Sequence, residues 1–587
     1  MVRLVGRSVK AEKEKTMSQG TLTTRASAVP LDHRPETLKG SYQQTREYNE
    51  PIALKRANRL MIAFLILMGV IYILRVGPPA MYPAWGFDSS ISLVSAKALS
   101  EGQGLRLINH PEAPFSPYVS IGYPAMLALG LRFVTLDAVG LTVLRSISVV
   151  TCLIFLFLGY HLLRRYVSPT VAAITMLFIG FQPWVVVWAG ELFRECPFAM
   201  WATAAVLLVK KSEDEESKTG GRWRRNFIFA GIFAGFGMLT HTLGLTLIAG
   251  IAVALAVNRK WRSLIVFAIS SGLTVAPWTI WSMFFVHSGS SVANYMSWAS
   301  SYYHWWTPFQ NLWRLFTEEG AIILFPPYGT ADGLFILQGA HIAWLFPLLS
   351  LIISAVFLAG LYVLLKRRDV VAWCLIFYLS LVVLYPAGAT RYLMPVYALM
   401  AIPLLVGGRL LKEGRERLHI PARALRISTA ALLVILTLGS LVTNSLRISS
   451  VYTYGHFYGA WGAKNWKELT TGFDWIKQNV PENGVVVTLY SCSVYLFTDR
   501  LTISPYHDAT DSTAPPGSAA RLQEVLSKID PNTPLFIFAR PFIFENEDIS
   551  TTSVKDFVSE NPERVRLRWE TPDHKMTIYE VIRPGGS

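Results

Sequence analysis

From about residue 58 onward, long apolar runs alternate with short polar or basic breaks, and the runs are long enough to cross a bilayer as helices. The pattern predicts spans near 58–76, 140–163, 169–188, 193–209, 226–240, 243–257, 263–285, 341–365, 370–386, 391–408 and 427–443. The boundary inside 226–257 is the least marked, because that run has no charged residue and breaks only around His241 and Gly244. Segment 120–135 is short and interrupted by Gly122-Tyr123-Pro124, which suits a stretch that only partly enters the membrane. Between the first span and this segment, the loop 77–118 contains an amphipathic helix. Ile91, Leu93, Val94, Ala98 and Leu99 form its apolar side, Lys97 and Glu101 stay polar, and the pattern predicts a helix lying along a bilayer surface.

Two flanking regions break the pattern. Residues 1–57 are polar and basic without apolar periodicity, which predicts a disordered cytoplasmic tail; no cleavable signal peptide is visible, and Met17 is an alternative start. Beyond Asn444 the chain reads as a soluble domain. FDWIKQNV has helical periodicity, VVVTLY (485–490) and PLFIFA (534–539) read as buried parallel strands, and 564–570 and 576–582 read as later strands. The expected fold is therefore a polytopic α-helical membrane protein of about eleven transmembrane helices (58–444) with a C-terminal extracytoplasmic α/β domain (445–587). No internal repeat of the kind seen in inverted-repeat transporters is apparent.

Composition agrees. Of 587 residues, 52% are hydrophobic and 16% charged, against about 25% charged in ordinary soluble domains. The net charge of +15 does not argue for a nucleic-acid partner, because the basic residues lie between apolar runs. One alternate set of loops carries 20 Lys and Arg and the other carries 3, so the first set is cytoplasmic and the second external. The expected location is a cell membrane with the C-terminal domain outside. Four scattered cysteines (Cys152, Cys196, Cys374 and Cys492) give neither a disulfide framework nor zinc-ligand spacing.

The external loops hold few acids. Asp88 stands at the mouth of the first span, where it reads either as a helix N-cap or as a reactive carboxylate at the water–lipid boundary. Glu191 follows a span with almost no loop to hold it in water, and Glu195 lies one turn further on. Glu191 is either an interfacial acid paired with Arg194 or a second working acid that positions the acceptor or, together with Asp88, a divalent cation. Trp298, Tyr302, Tyr303, Trp305, Trp306 and Trp313 read either as interfacial anchors or as a sugar-stacking platform. Arg391, at the external start of a span, either snorkels or holds a lipid phosphate bidentately.

Soluble nucleotide sugars are absent outside the cytoplasm, whereas a polyprenyl-phosphate sugar carries its own leaving group. Transfer from it needs a base for the acceptor hydroxyl and cations for the departing phosphate. An inverting displacement needs no enzyme nucleophile, and no Ser-His-Asp or Cys-His arrangement is evident. Readings from other classes are a transporter or flippase of lipid-linked glycans and a catalytically inactive glycan-binding scaffold.

Several motifs in order carry a resemblance. They are GFDSSISLVSAKALSEG followed by the GYP re-entry, ELF at 191–193, GFGMLTHTLGL at 235–245, APWTIW at 276–281 and RYLMP at 391–395, with FDWIKQNVPENGVVV beyond them. The chain resembles the GT-C superfamily of integral-membrane glycosyltransferases, in the bacterial branch similar to protein O-mannosyltransferases and lipid A aminoarabinose transferase. The resemblance implies Asp88 as catalytic base, Glu191 as second-loop acid and Arg391 as a lipid-phosphate contact. Tyr392, His241, Lys97 and Tyr123 complete the expected phosphate and sugar contacts. The expected partners are a polyprenyl-phosphate sugar, a lipid, glycan or protein acceptor, and membrane lipids. Ser89 stands where protein mannosyltransferases carry a paired acid, and the lysine-proline-proline pattern of the aminoarabinose branch is missing.

Overall fold

The computed structural model describes residues 50–78, 87–115, 120–216, 222–285, 304–319, 345–385, 390–417, 422–454, 459–504, 519–540 and 549–583. The tail before residue 50, Met17 included, and Trp298, Tyr302 and Tyr303 lie outside them. The helices are α1 (Glu50–Val76), α2 (Phe87–Ser100), α3 (Gly122–Leu131), α4 (Ala138–Leu163), α5 (Pro169–Phe181), α6 (Pro183–Ala189), α7 (Glu195–Glu216), α8 (Arg222–Thr240), α9 (Gly244–Val257) and α10 (Trp261–Phe285). They continue with α11 (Thr307–Arg314), α12 (Leu345–Lys366), α13 (Val370–Leu384), α14 (Thr390–Leu393), α15 (Tyr397–Arg417) and α16 (Ala422–Tyr454). Over their described residues the eleven expected spans fall mainly on helix, with 341–344 and 386 outside those residues. Among the described residues, five helices are long and apolar enough to cross a membrane, or six if one bent pair counts as a single span.

That bent pair is the expected span 169–188. Pro183 has no N–H to continue the ladder and holds Gln182 in an extended conformation, so α5 and α6 meet at 67°. The Gln182 side chain then caps α6 by accepting from the Val185 N–H at 3.0 Å. The break anticipated near His241 is also present. His241 Nδ1 accepts from the Leu243 N–H at 3.2 Å, and any Cβ at Gly244 would lie 2.4 Å from Met238 N. At the N-terminal end helix starts at Glu50, inside the expected tail, and near the C-terminal end α16 runs straight through Asn444 to Tyr454.

Two expectations about α2 need correction. It does not lie on a bilayer surface with its apolar side in lipid: that side is covered by protein. Leu93 and Ala96 pack with Tyr123, Leu127, Leu141, Leu144 and Leu192, while Ile91, Val94 and Ala98 pack with Leu107, Ile108 and Cys492. Nor is Asp88 the N-cap, since it sits inside the first turn. An amphipathic pattern specifies only that one side is dry, and here the dry medium is other helices.

The C-terminal domain opens with α17 (Gly459–Asn479) and builds a five-stranded sheet from β1 (Val485–Val487), β2 (Leu501–Ile503), β3 (Leu535–Ala539), β4 (Val565–Glu570) and β5 (Thr577–Val581). The order is β2-β1-β3-β5-β4, with β1 parallel to both neighbours and β5 antiparallel to β3 and β4. Alternate residues serve opposite faces, as strand geometry requires. Val485, Val487 and Ile537 pack with Leu522, Val525 and Phe557, and Val486, Phe536 and Phe538 pack with Phe473 and Ile476. The short helix α18 (Ser491–Thr498) leaves β1 and meets α2.

In the membrane part, α12 and α15 approach backbone to backbone. An ideal Cβ on Gly360 would lie 1.8 Å from the Pro403 carbonyl oxygen, and one on Gly407 would lie 2.0 Å from that of Val356, whereas Gly408 has open space. Gly360→Ala should therefore lower stability by about 1–3 kcal/mol through forced separation of the two helices. Gly408→Ala should be neutral or slightly stabilising. Melting curves in detergent check this, and equal midpoints for the two variants would show that the close approach is not a packing constraint.

Candidate active site

Three distant segments meet at Arg391. Pro395 interrupts regular helix in RYLMP, so α14 is a single turn followed by a 3-10 turn (Met394–Val396) before α15 begins. This irregular entry carries the guanidinium across to α2 and α7. Arg391 Nη1 donates to Asp88 Oδ2 at 2.6 Å, and Nε donates to Glu195 Oε1. The plane of the guanidinium rests on an aromatic shelf, 4.4 Å from the Phe193 ring centre and 5.9 Å from that of Trp188. Exposure rises along the chain of charges, from 0% for the Glu195 side chain to 22% for Arg391 and 42% for Asp88. Glu195 anchors the arginine from its buried side, and Asp88 is its part-exposed partner.

Glu191 is placed differently from its expected role beside Asp88. Its Oε1 accepts from Arg75 Nη2 at 2.6 Å, and both side chains are fully buried. Its partner is therefore not Arg194, which would have been the plainer pairing. The second acid on Arg391 is Glu195, whose inward orientation the sequence suggested without giving it a role. Ser89 explains the missing paired acid. Its Oγ donates to the Leu192 carbonyl at 3.1 Å in a fully buried position, where a carboxylate would face an acceptor.

The other expected contacts divide. Tyr392 stays at the site: its hydroxyl donates to the Tyr385 hydroxyl at 3.2 Å, and its backbone carbonyl accepts from Tyr378 at 2.5 Å. His241 lies edge-on to Tyr392, with ring centres 6.0 Å apart, and its Nε2 is buried without a hydrogen bond. Arg194, which the sequence offered only as a partner for Glu191, lies close to this group. Its Nε is buried without a partner, as is Arg391 Nη2, and both guanidiniums lie within electrostatic reach of His241 and Tyr392. Lys97 is elsewhere, and Tyr123, though enclosed by helices, lies within electrostatic reach of Glu195 and Glu191. Lys97 reaches the Tyr495 hydroxyl at 3.4 Å and Asp499 at 3.8 Å in the C-terminal domain, and Tyr123 is buried in the packing between α2, α3 and α4. Among the described residues no three His, Cys, Asp or Glu side chains gather as metal ligands. Trp305 and Trp313 are largely exposed, which suits an interfacial anchor and a stacking platform alike.

The chain is similar to known proteins in one segment of sequence and in overall fold. Residues 120–281 match the family model for dolichyl-phosphate-mannose-protein mannosyltransferases, a segment that holds Glu191, Arg194, Glu195 and His241 but neither Asp88 nor Arg391. The archaeal oligosaccharyltransferase AglB from Archaeoglobus fulgidus, solved with an inhibitory peptide and a dolichol-phosphate, superposes with a TM-score of 0.52 at 14% identity, covering 88% of this chain and 74% of AglB. ArnT from Cupriavidus metallidurans, solved with undecaprenyl phosphate, superposes with a TM-score of 0.51 at 14% identity, covering 88% of this chain and 97% of ArnT. No curated protein matches. Over most of its length the chain therefore shares the fold of AglB and ArnT, and within it residues 120–281 match the mannosyltransferase family model.

The two acid–arginine contacts should separate in stability. Glu191→Gln removes the negative member of a fully buried ion pair and should lower the melting midpoint more than Asp88→Asn does. Asp88→Asn, at a part-exposed contact whose arginine keeps Glu195, should cost about 1 kcal/mol or less. Thermal unfolding of the purified variants measures both, and a Glu191→Gln protein melting like the parent would contradict the structural role given to that pair.

Proposed function

We propose that this protein transfers a sugar from a polyprenyl-phosphate donor to an acceptor hydroxyl on the extracytoplasmic face, by an inverting single displacement with Asp88 as base. The observation that carries the reading is the Asp88–Arg391–Glu195 arrangement, in which a carboxylate open to water shares one guanidinium with a buried carboxylate. Asp88 takes the hydroxyl proton, the oxygen attacks the anomeric carbon, and the bond from that carbon to the phosphate oxygen breaks. The leaving phosphate has Arg391 Nη2, Arg194 and His241 Nε2 within the same group of side chains. When the donor phosphate draws Arg391 towards itself, the salt bridge to Asp88 weakens and the carboxylate becomes a better base.

Two further observations support a lipid-linked donor. The structures of AglB and ArnT named above contain a dolichol-phosphate and undecaprenyl phosphate, respectively. In this chain, an apolar cavity of about 470 Å³ is lined by Ile179, Phe316, Phe357, Leu393, Tyr397 and Leu404, among others. Leu393 is two residues from Arg391, so a hydrocarbon tail in the cavity would bring its phosphate towards the guanidinium. Lipid, glycan and protein hydroxyls all remain open as acceptors, approaching from the exposed side of Asp88. A divalent cation held near Asp88 is compatible with this reading and is not required by it.

Asp88→Asn should lower transfer by roughly 10²–10⁴-fold while expression and membrane insertion persist. The measurement is transfer from a panel of synthetic polyprenyl-phosphate sugars into extracted glycoconjugates. Undiminished transfer by the variant would remove the base from the mechanism.

A further inference from the structure

The helix that carries Asp88 is held from two sides, and one of them is the C-terminal domain. On the membrane side, Ser89 Oγ donates to the Leu192 carbonyl, and Leu93 and Ala96 pack against Leu192, Tyr123 and Leu141. On the outer side, the hydroxyls of Ser90 and Ser493 lie 2.7 Å apart, both buried, across 403 residues of chain. Around that bond, Ile91, Val94 and Ala98 pack with Cys492, and Tyr495 and Leu496 close the edge. A second tie lies further along. The Thr502 N–H donates to the Asn109 carbonyl at 2.7 Å and the Asn109 amide donates to Thr502 Oγ1 at 3.1 Å, so the first loop covers the open edge of β2.

The geometry of a helix makes Ser90 a lever on Asp88. Two residues apart means about 200° of rotation, so Ser90 and Asp88 point to nearly opposite sides of the same turn. A rotation of α2 by about 15° would swing a carboxylate some 6 Å from the axis by about 1.5 Å, and a misplacement of that order costs about 10²-fold in a positioned reaction. Ser493 sits on α18, which follows β1 after Thr488, Leu489 and Tyr490, so its position is set by the sheet.

We infer that the C-terminal domain is a positioning element for the transfer reaction: Ser493, through Ser90, fixes the rotation of the first turn of α2 and so aims the Asp88 carboxylate. The inference rests on the reading of Asp88 as the base. Docking that served stability alone would need the apolar contacts but not a buried hydroxyl pair two residues from the acid.

The test uses the full-length chain in lipid nanodiscs and the member of the synthetic polyprenyl-phosphate sugar panel that the parent turns over fastest. Ser493→Ala should lower kcat of the folded protein about tenfold, leave KM for the donor within twofold and lower the melting midpoint by only a few degrees. Ser493→Thr, which keeps the hydroxyl, should restore most of the rate. Ser90→Ala combined with Ser493→Ala should be no worse than Ser90→Ala alone, because Ser493 acts through Ser90. A Ser493→Ala kcat within twofold of the parent overturns the inference, as does a lowered melting midpoint with kcat of the folded fraction intact. Full transfer by Asp88→Asn, or no turnover of the panel by the parent, removes the base reading itself and the inference falls with it.

Discussion

One guanidinium organises the centre of this protein. Arg391 offers its Nε to a fully buried carboxylate and its Nη1 to a part-exposed one, with the ring of Phe193 under its plane. Only a planar, permanently charged fork can hold two acids at fixed angles and still keep Nη2 unbonded; a lysine ammonium has neither the shape nor the spread. Without that cation Glu195 would be an isolated buried charge, which membrane interiors do not tolerate. The site is therefore assembled by α2, α7 and the turn before α15 converging on one residue.

The surrounding packing serves that convergence. Pro183 turns the chain so that Gly190–Phe193 tucks inward, Arg75 neutralises Glu191 behind the site, and Ser89 fastens the first turn of α2 to the same buried segment. Glu191 and Glu195 sit four residues apart and each engages a different arginine, one from α1 and one from the turn before α15. This division leaves one acid structural and the other in contact with the group that meets Asp88.

Much of the architecture was legible in the sequence because membrane crossing imposes long, uninterrupted apolar runs, and parallel strands such as 485–487 and 535–539 read as continuous apolar stretches. Asp88 and Arg391 stood out as charges at span ends. Their mutual contact did not, since 303 residues separate them and periodicity carries no information about that distance. The exchange of Glu191 for Glu195 has the same origin: Arg194 was the nearest cation in sequence, while the actual partners come from positions 75 and 391. The side of α2 expected in lipid was misjudged because an apolar stripe is equally satisfied by a neighbouring helix, although the run Asp88-Ser-Ser-Ile-Ser, whose hydroxyls are all buried, was the available sign that this helix is enclosed. The short strand β2, three residues long, has too few positions to show alternation.

The charge balance gives the site its direction. Two carboxylates and two guanidiniums, Asp88 and Glu195 with Arg391 and Arg194, sum to zero before any donor arrives, yet both acids lie on Arg391 and the Nε of Arg194 has no acceptor. A phosphate entering such a group finds unbonded N–H donors already desolvated, so it gains electrostatic stabilisation without first stripping water from them. Its arrival must weaken the hold on one of the two acids. Glu195 is fully buried and has no water to replace its arginine, whereas Asp88 is 42% exposed and does. Under the proposed function, the difference in burial would select Asp88 as the carboxylate released, on the side left open to an acceptor.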